Sequence, residues 1–186
     1  MATGIYGGTG ATSSALLHDG SQVVTFGPGG IVTGLGSKRV IQSIEATPYI
    51  TYTSTVTALP WDDTIPQNTE GLQILSVTIT PTSTTNRLRI EWDFMGCAST
   101  SAGHISIALF QDSTANALAV RSGGGDNVMV YSLSGSYEMA AGTTSSTTFK
   151  LNFGADTGTA YVNGNSSGRK FGGASAARLR VTEIST

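Results

Sequence analysis

Hydrophobic and polar residues alternate strictly along residues 87–94. Leu88, Ile90, Trp92 and Phe94 share one side, and Arg87, Arg89, Glu91 and Asp93 take the other. A period of two sustained over such a run predicts a β-strand with one face on a core and one in water. Phe149, Leu151 and Phe153 alternate in the same way over 148–153, Ile105, Ile107 and Leu109 over 104–110, and Leu179 with Val181 over 178–184. Further strands are expected at 50–56, 74–80, 128–133 and 137–140, with a short one at 160–162. Turn-forming residues separate these runs at 81–86 and 123–127, and Asn163-Gly164-Asn165 reads as a tight turn. No stretch sustains a period of 3.6 with caps. Short strands punctuated by turn signals roughly every 8–15 residues predict an all-β fold, an antiparallel β-sandwich of jelly-roll type.

The first 37 residues have a different texture. Gly7-Gly8-Thr9-Gly10, Gly27-Pro28-Gly29-Gly30 and Gly34-Leu35-Gly36 interrupt every candidate element before it can grow. Only short apolar pieces lie between them, with Tyr6, Leu16, Leu17, Phe26 and Ile31 as the side chains able to dock on something. Residues 1–37 are therefore expected to form an extended Gly/Thr-rich arm whose ordering cost is offset against a partner or its own oligomer. Residues 38–186 are expected to form the sandwich head.

Composition sharpens this picture mainly by exclusion. Of the 186 residues only 12% are charged, serine and threonine make up about a quarter, and the formal net charge is −2. That balance lacks the basic surface nucleic-acid binding needs. Threonine suits strands because its β-branched side chain fits a pleated surface while staying soluble. No apolar run reaches the ~18 residues of a membrane span. The opening MATGIYGGTG lacks a basic and an apolar leader segment, so no secretory signal is expected. Two histidines and one cysteine exclude an internal disulfide and most zinc sites. Cys97 reads as a small buried residue, and a free thiol fits synthesis in a reducing cytoplasm.

Catalytic patterns are correspondingly thin. Gly7 to Thr12 resembles a phosphate loop only in its glycines, since it lacks the preceding strand, the Gly-Lys-Ser/Thr ending and the following helix. Glu91 and Asp93 share a strand face about 7 Å apart by strand geometry, a spacing glycosidase chemistry tolerates. Their alternation with Arg87 and Arg89 reads more simply as a solvated, charge-paired surface. No Gly-x-Ser-x-Gly elbow accompanies His18 or His104. No catalytic residue, cofactor or metal site is assigned, and no enzyme is expected. The segment 60–71, with Pro60, Asp62, Asp63, Pro66 and Glu70, reads as a rigid crossover in which Asp62 and Asp63 cap local turns; calcium binding is its competing reading.

Binding groups are better represented. Trp92 is expected in the core from its alternation. Trp61 stands in a loop, as an anchor or an exposed ring, and Tyr131 and Tyr137 flank Gly135. The stretch 121–127 offers donors and acceptors without bulk. Arg121, Asp126, Asn127, Tyr137 and Trp61 are accordingly the candidates for binding a surface receptor, such as a host glycan, from the loops of a rigid scaffold.

Several separated strings carry a resemblance. Trp61-Asp62-Asp63-Thr64-Ile65-Pro66-Gln67-Asn68-Thr69-Glu70-Gly71 precedes Leu75-Ser76-Val77-Thr78-Ile79-Thr80-Pro81. Ala108-Leu109-Phe110-Gln111-Asp112-Ser113 and Tyr137-Glu138-Met139-Ala140-Ala141-Gly142 follow, and Tyr161-Val162-Asn163-Gly164-Asn165 and Leu179-Arg180-Val181-Thr182-Glu183-Ile184 lie near the end. Across about residues 38–186 these resemble a module of tailed-bacteriophage tail-fibre-like proteins. The resemblance implies a virion surface protein made in the bacterial host cytoplasm, trimeric, contacting other virion proteins and placed where a phage meets its host. It carries over no catalytic or binding residue. A short arm before the head also suits a capsid decoration or head-fibre protein.

Overall fold

A computed structural model describes residues 17–18, 24–25, 38–98, 103–124 and 128–186. The chain divides into two units, Met1–Ser37 and Lys38–Thr186. In the first, β1 (Leu17–His18) pairs antiparallel with β2 (Val24–Thr25). The docking candidates Tyr6, Leu16, Phe26 and Ile31 lie outside the described residues, and of Leu17 only the backbone pairing is described.

The second unit runs β3 (Val40–Glu45), β4 (Thr53–Thr55), β5 (Leu72–Ile79), β6 (Arg87–Asp93), β7 (Met95–Ala98), β8 (Ile105–Gln111), β9 (Ala119–Gly123) and β10 (Tyr131–Ser132). There follow β11 (Gly135–Ala140), β12 (Thr147–Ala155), β13 (Ala160–Val162), β14 (Gly164–Asn165), β15 (Gly168–Arg169) and β16 (Arg178–Ile184). A front sheet of order β11-β6-β16-β3 packs on a back sheet of order β5-β12-β8-β9. Apart from the β8–β9 hairpin, each connection between these principal strands crosses from one sheet to the other. That strand order is a jelly roll. A third sheet, β10-β7-β13-β4, prolongs the front one. The bridge across the break is Leu133 N–H donating to Phe94 O at 2.8 Å, and beyond it β13 replaces β16 as the neighbour.

Alternation produces the core as expected. Leu88, Ile90, Trp92 and Phe94 from the front face Phe149, Leu151 and Phe153 from the back, and all are buried. The Phe94 and Phe153 rings meet at 5.6 Å, tilted by 43°. Each such side chain contributes roughly 1.5–3 kcal/mol of burial. Gly135 lies opposite Trp92 in the β11–β6 ladder because a Cβ there would overlap the indole.

Strand β8 departs from the one-sided expectation. Ile105, Ile107 and Leu109 face the main core, yet Ser106, Ala108 and Phe110 on the other side are buried too. The crossover 56–71 folds over that outer face, and Leu59 forms a small second core with Ala108 and Phe110. Leu59 N–H donates to Ala155 O at 3.0 Å, and Gly71 N–H to Ala58 O at 2.8 Å, which pins both ends of the crossover. Asn152 reaches out of β12 to donate to Glu70 O at 2.9 Å.

Two segments expected as longer strands are cut short by side-chain amides. Within 50–56 only Thr53–Thr55 is a strand, because Asn163 Nδ2 takes the carbonyls of Tyr49 and Thr51 at 2.8 and 3.0 Å. Within 128–133 only Tyr131–Ser132 is a strand, while Val128 O accepts from Asn165 Nδ2 at 2.9 Å. The tight turn expected at 163–165 is displaced. Asn163, at φ 59°, leads into β14, and the reversal falls at Ser166–Ser167 before β15.

The end of the sandwich where the chain enters at Lys38 is closed by one carboxylate. Glu183 on β16 is fully buried and accepts from Gln42 Nε2 at 2.6 Å, Asn86 Nδ2 at 2.6 Å, and Thr82 N and Oγ1 at 2.8 Å each. Burial alone pushes its pKa up. The donated hydrogen bonds outweigh that and hold it at about 2, against an ordinary 4.5.

A carboxyl whose folded pKa is depressed adds stability above its unfolded pKa and loses it as pH falls toward the folded value. We expect stability to drop by on the order of 3 kcal/mol between about pH 5 and 2 through this group, the equivalent of its shift. In urea titrations across that range Glu183→Gln should be less stable at pH 7 and flatter with pH; a slope equal to that of the parent would remove Glu183 as the acid-sensitive group. Gly135→Ala should cost about 1–3 kcal/mol through displacement of Trp92, read as a lower urea midpoint at unchanged slope.

Candidate functional site

At the opposite end, three residues distant in sequence converge. Pro60 follows the buried Leu59 and carries the chain outward, leaving Trp61 61% exposed. Its indole lies flat on the His104 imidazole, with ring centroids 3.7 Å apart and planes 14° from parallel. His104 stands immediately before β8, and Asp156 immediately after the neighbouring β12. Asp156 Oδ1 accepts from the backbone N–H groups of His104 at 2.6 Å and Thr157 at 2.7 Å, and Oδ2 lies 3.2 Å from His104 Nδ1. Burial raises the Asp156 pKa, but these hydrogen bonds and the adjacent imidazole reverse that and leave it below the ordinary value. A carboxylate accepting from Nδ1–H fixes the ring orientation and leaves Nε2 as the imidazole's remaining polar atom. The result is a rigid exposed aromatic surface backed by an oriented histidine.

The crossover beside it supplies its own rigidity. Asp62 Oδ1 accepts from Thr64 N at 2.8 Å and from Thr64 Oγ1, the local turn cap expected of it, and these bonds lower the Asp62 pKa. Glu70 Oε2 accepts from Gln67 N at 2.9 Å. Among the described residues no group of three or more His, Cys, Asp or Glu side chains is arranged to hold a metal ion.

The other binding candidates do not join this cluster. Arg121 belongs to β9 and not to a loop; its guanidinium lies 5.8 Å from the Trp92 ring centroid, and Nη1 donates to Val120 O at 2.9 Å. That placement sets a cation against a buried indole whose Nε1 has no hydrogen-bond partner among the described residues. Tyr137 is likewise in a strand, opposite Ile90 and half-buried against the core. Asp126 and Asn127 lie outside the described residues.

The polar face of the front sheet gathers much of the chain's sparse charge. Arg87 and Arg89 pair with Glu138 on β11, at 3.8 and 3.0 Å, and Arg178 pairs with Glu45 at 3.3 Å. The arginines therefore pair across strands, and Glu91 and Asp93 are not their partners. Asp93 Oδ1 accepts from Ser134 Oγ at 2.7 Å instead. A half-open depression of about 120 Å³ lies here, lined by Glu45, Glu91, Trp92, Asp93, Arg178 and Arg180. Its walls are a flat strand surface, and exposed pairs of this kind contribute about 0–1 kcal/mol each.

No protein-family model matches this chain, and neither does any curated protein. Among solved structures it is similar to the Eiger TNF of S. frugiperda, at 10% identity and TM-score 0.42, covering 76% of this chain and 92% of that one. It is also similar to a chain of the infectious bursal disease virus Gt strain, at 12% identity and TM-score 0.39, covering 94% and 47%. A third likeness is to latent PorU from Porphyromonas gingivalis, at 11% identity and TM-score 0.39, covering 83% and 14%. The chain thus spans less than half of the viral chain and a small part of PorU. At TM-scores below 0.5 these likenesses carry no functional information.

Asp156→Ala strips an acceptor from two backbone N–H groups and from the His104 ring. We expect a loss on the order of 1–2 kcal/mol together with lower fluorescence anisotropy of Trp61 in a Trp92→Phe background. Unchanged anisotropy would show that the indole is held without the histidine.

Proposed function

We infer that this chain is a non-enzymatic structural component of a tailed-phage virion, with the jelly roll as its exposed head and residues 1–37 attaching it to the particle. The observation that carries this reading is the polarity of the head. Arg39 is tied to Ser185 through hydrogen bonds of 2.8 and 3.0 Å, so the sandwich begins and ends at its Glu183-closed end. The Trp61–His104–Asp156 cluster lies at the far end of β12, whose nine residues span about 30 Å. A head tethered at one end and bearing an aromatic surface at the other suits contact with a host surface. The recurrent strings that resemble tail-fibre-like modules support the same reading. Self-association as a homotrimer fits it, because several weak sites acting together raise avidity without new contacts.

Capsid decoration is the second reading. There the arm does the work and the head is passive. Antibody labelling of intact particles separates the two. A few copies at the tail tip support attachment, many copies across the shell support decoration, and absence from purified particles overturns both. Removal of residues 1–37 should abolish binding to particles that lack the protein while leaving the head's near-UV circular dichroism intact.

A further inference from the structure

We propose that Trp61, backed by His104 and Asp156, is a saccharide-binding platform that takes the apolar C–H face of a pyranose. Its biological setting rests on the attachment reading above, while the binding itself rests on local geometry. A large aromatic side chain normally buries most of its surface, and Trp92, the chain's other tryptophan, does so. Trp61 keeps 61% of its surface exposed although one face is covered by the imidazole at 3.7 Å. The opposite face is therefore the open one.

That ring is also held in place. Leu59, two residues before it, is buried in the small second core, and the Asp62–Thr64 turn follows it. Behind it, Asp156 orients His104 through both backbone and ring. An indole fixed before binding loses little entropy when a ligand stacks on it, the condition under which a weak, flat contact becomes useful. Aromatic ligands would stack equally well on such a ring. The carboxylate of Asp63, exposed two residues along the chain, however, supplies a polar acceptor of the kind a sugar's hydroxyl rim uses. In galactose the axial 4-hydroxyl gathers the C3, C4 and C5 hydrogens on one face, which makes a galactoside a suitable probe of such a ring.

The test uses the full chain with methyl β-D-galactopyranoside as probe, read by saturation-transfer NMR. Transfer should be strongest at H3, H4 and H5 of the sugar, with a millimolar dissociation constant. Trp61→Ala should weaken binding at least about tenfold, the order of an aromatic stacking contact, and Trp61→Phe should weaken it less. His104→Ala should also weaken binding without unfolding the chain, as judged by the near-UV signal of Trp92. Absence of transfer to the sugar, or transfer that persists unchanged in Trp61→Ala, overturns the platform. Either result leaves the virion reading standing, because particle labelling tests that separately.

Discussion

One buried carboxylate sets the terms for the entry end of the sandwich. Glu183 receives donors from β3 through Gln42 and from the β5–β6 turn through Thr82 at its start and Asn86 at its end. A charge in a nonpolar interior costs several kcal/mol unless its lone pairs are satisfied. Here they are, and by neutral donors only. Removing any donor would leave the charge under-solvated, so the turn 82–86, β3 and β16 are obliged to keep one mutual arrangement. The connection from β5 to β6 crosses between the two sheets at this point, which makes the carboxylate a fixture of the topology as well as of local packing.

Elsewhere irregular backbone is held by buried amides. Asn163 replaces a strand partner for the carbonyls of Tyr49 and Thr51, Asn165 secures Val128, and Asn152 secures the crossover at Glu70. These groups do not titrate, so they hold irregular backbone at any pH. In a chain with 12% charged residues this concentrates acid sensitivity in Glu183 and Asp156, which, unlike the exposed Asp62, are drawn below their ordinary pKa by hydrogen bonds while sheltered from solvent. One of them closes the entry end and the other orients the histidine at the far end.

Much of this architecture is written locally, and some of it is not. The alternation of 87–94, 148–153 and 178–184 is a property of adjacent residues, and the strands appear where that alternation runs. The same parity that turns Leu179 and Val181 inward also turns Glu183 inward, so the alternation itself places a carboxylate at a core position. The second buried face of β8 was not visible, because it depends on a crossover whose only local mark is Leu59. The short β4 depends on a side-chain amide, that of Asn163, which takes backbone carbonyls more than a hundred residues away. Of the candidate site, Trp61 was legible as a loop tryptophan. His104 and Asp156 were not legible as its partners, because 52 residues separate them and only the β8–β12 pairing brings them together.

The two ends of the head are therefore built on opposite principles. At the entry end Gln42, Thr82 and Asn86 turn their donors inward on Glu183, and Ile79 and Ile184 are buried as well. At the far end the hydrogen bonds of Asp156 are spent on orienting an imidazole, and that imidazole in turn supports a ring that remains in water. If Trp61 served only to cover His104, a smaller apolar side chain would do so while exposing far less apolar surface. Ordering a large aromatic side chain at the surface costs conformational entropy that its single stacking contact only partly offsets. That cost is offset when the open face has a ligand to meet, so the asymmetry between the two ends agrees with the proposal of recognition at Trp61 and attachment through residues 1–37.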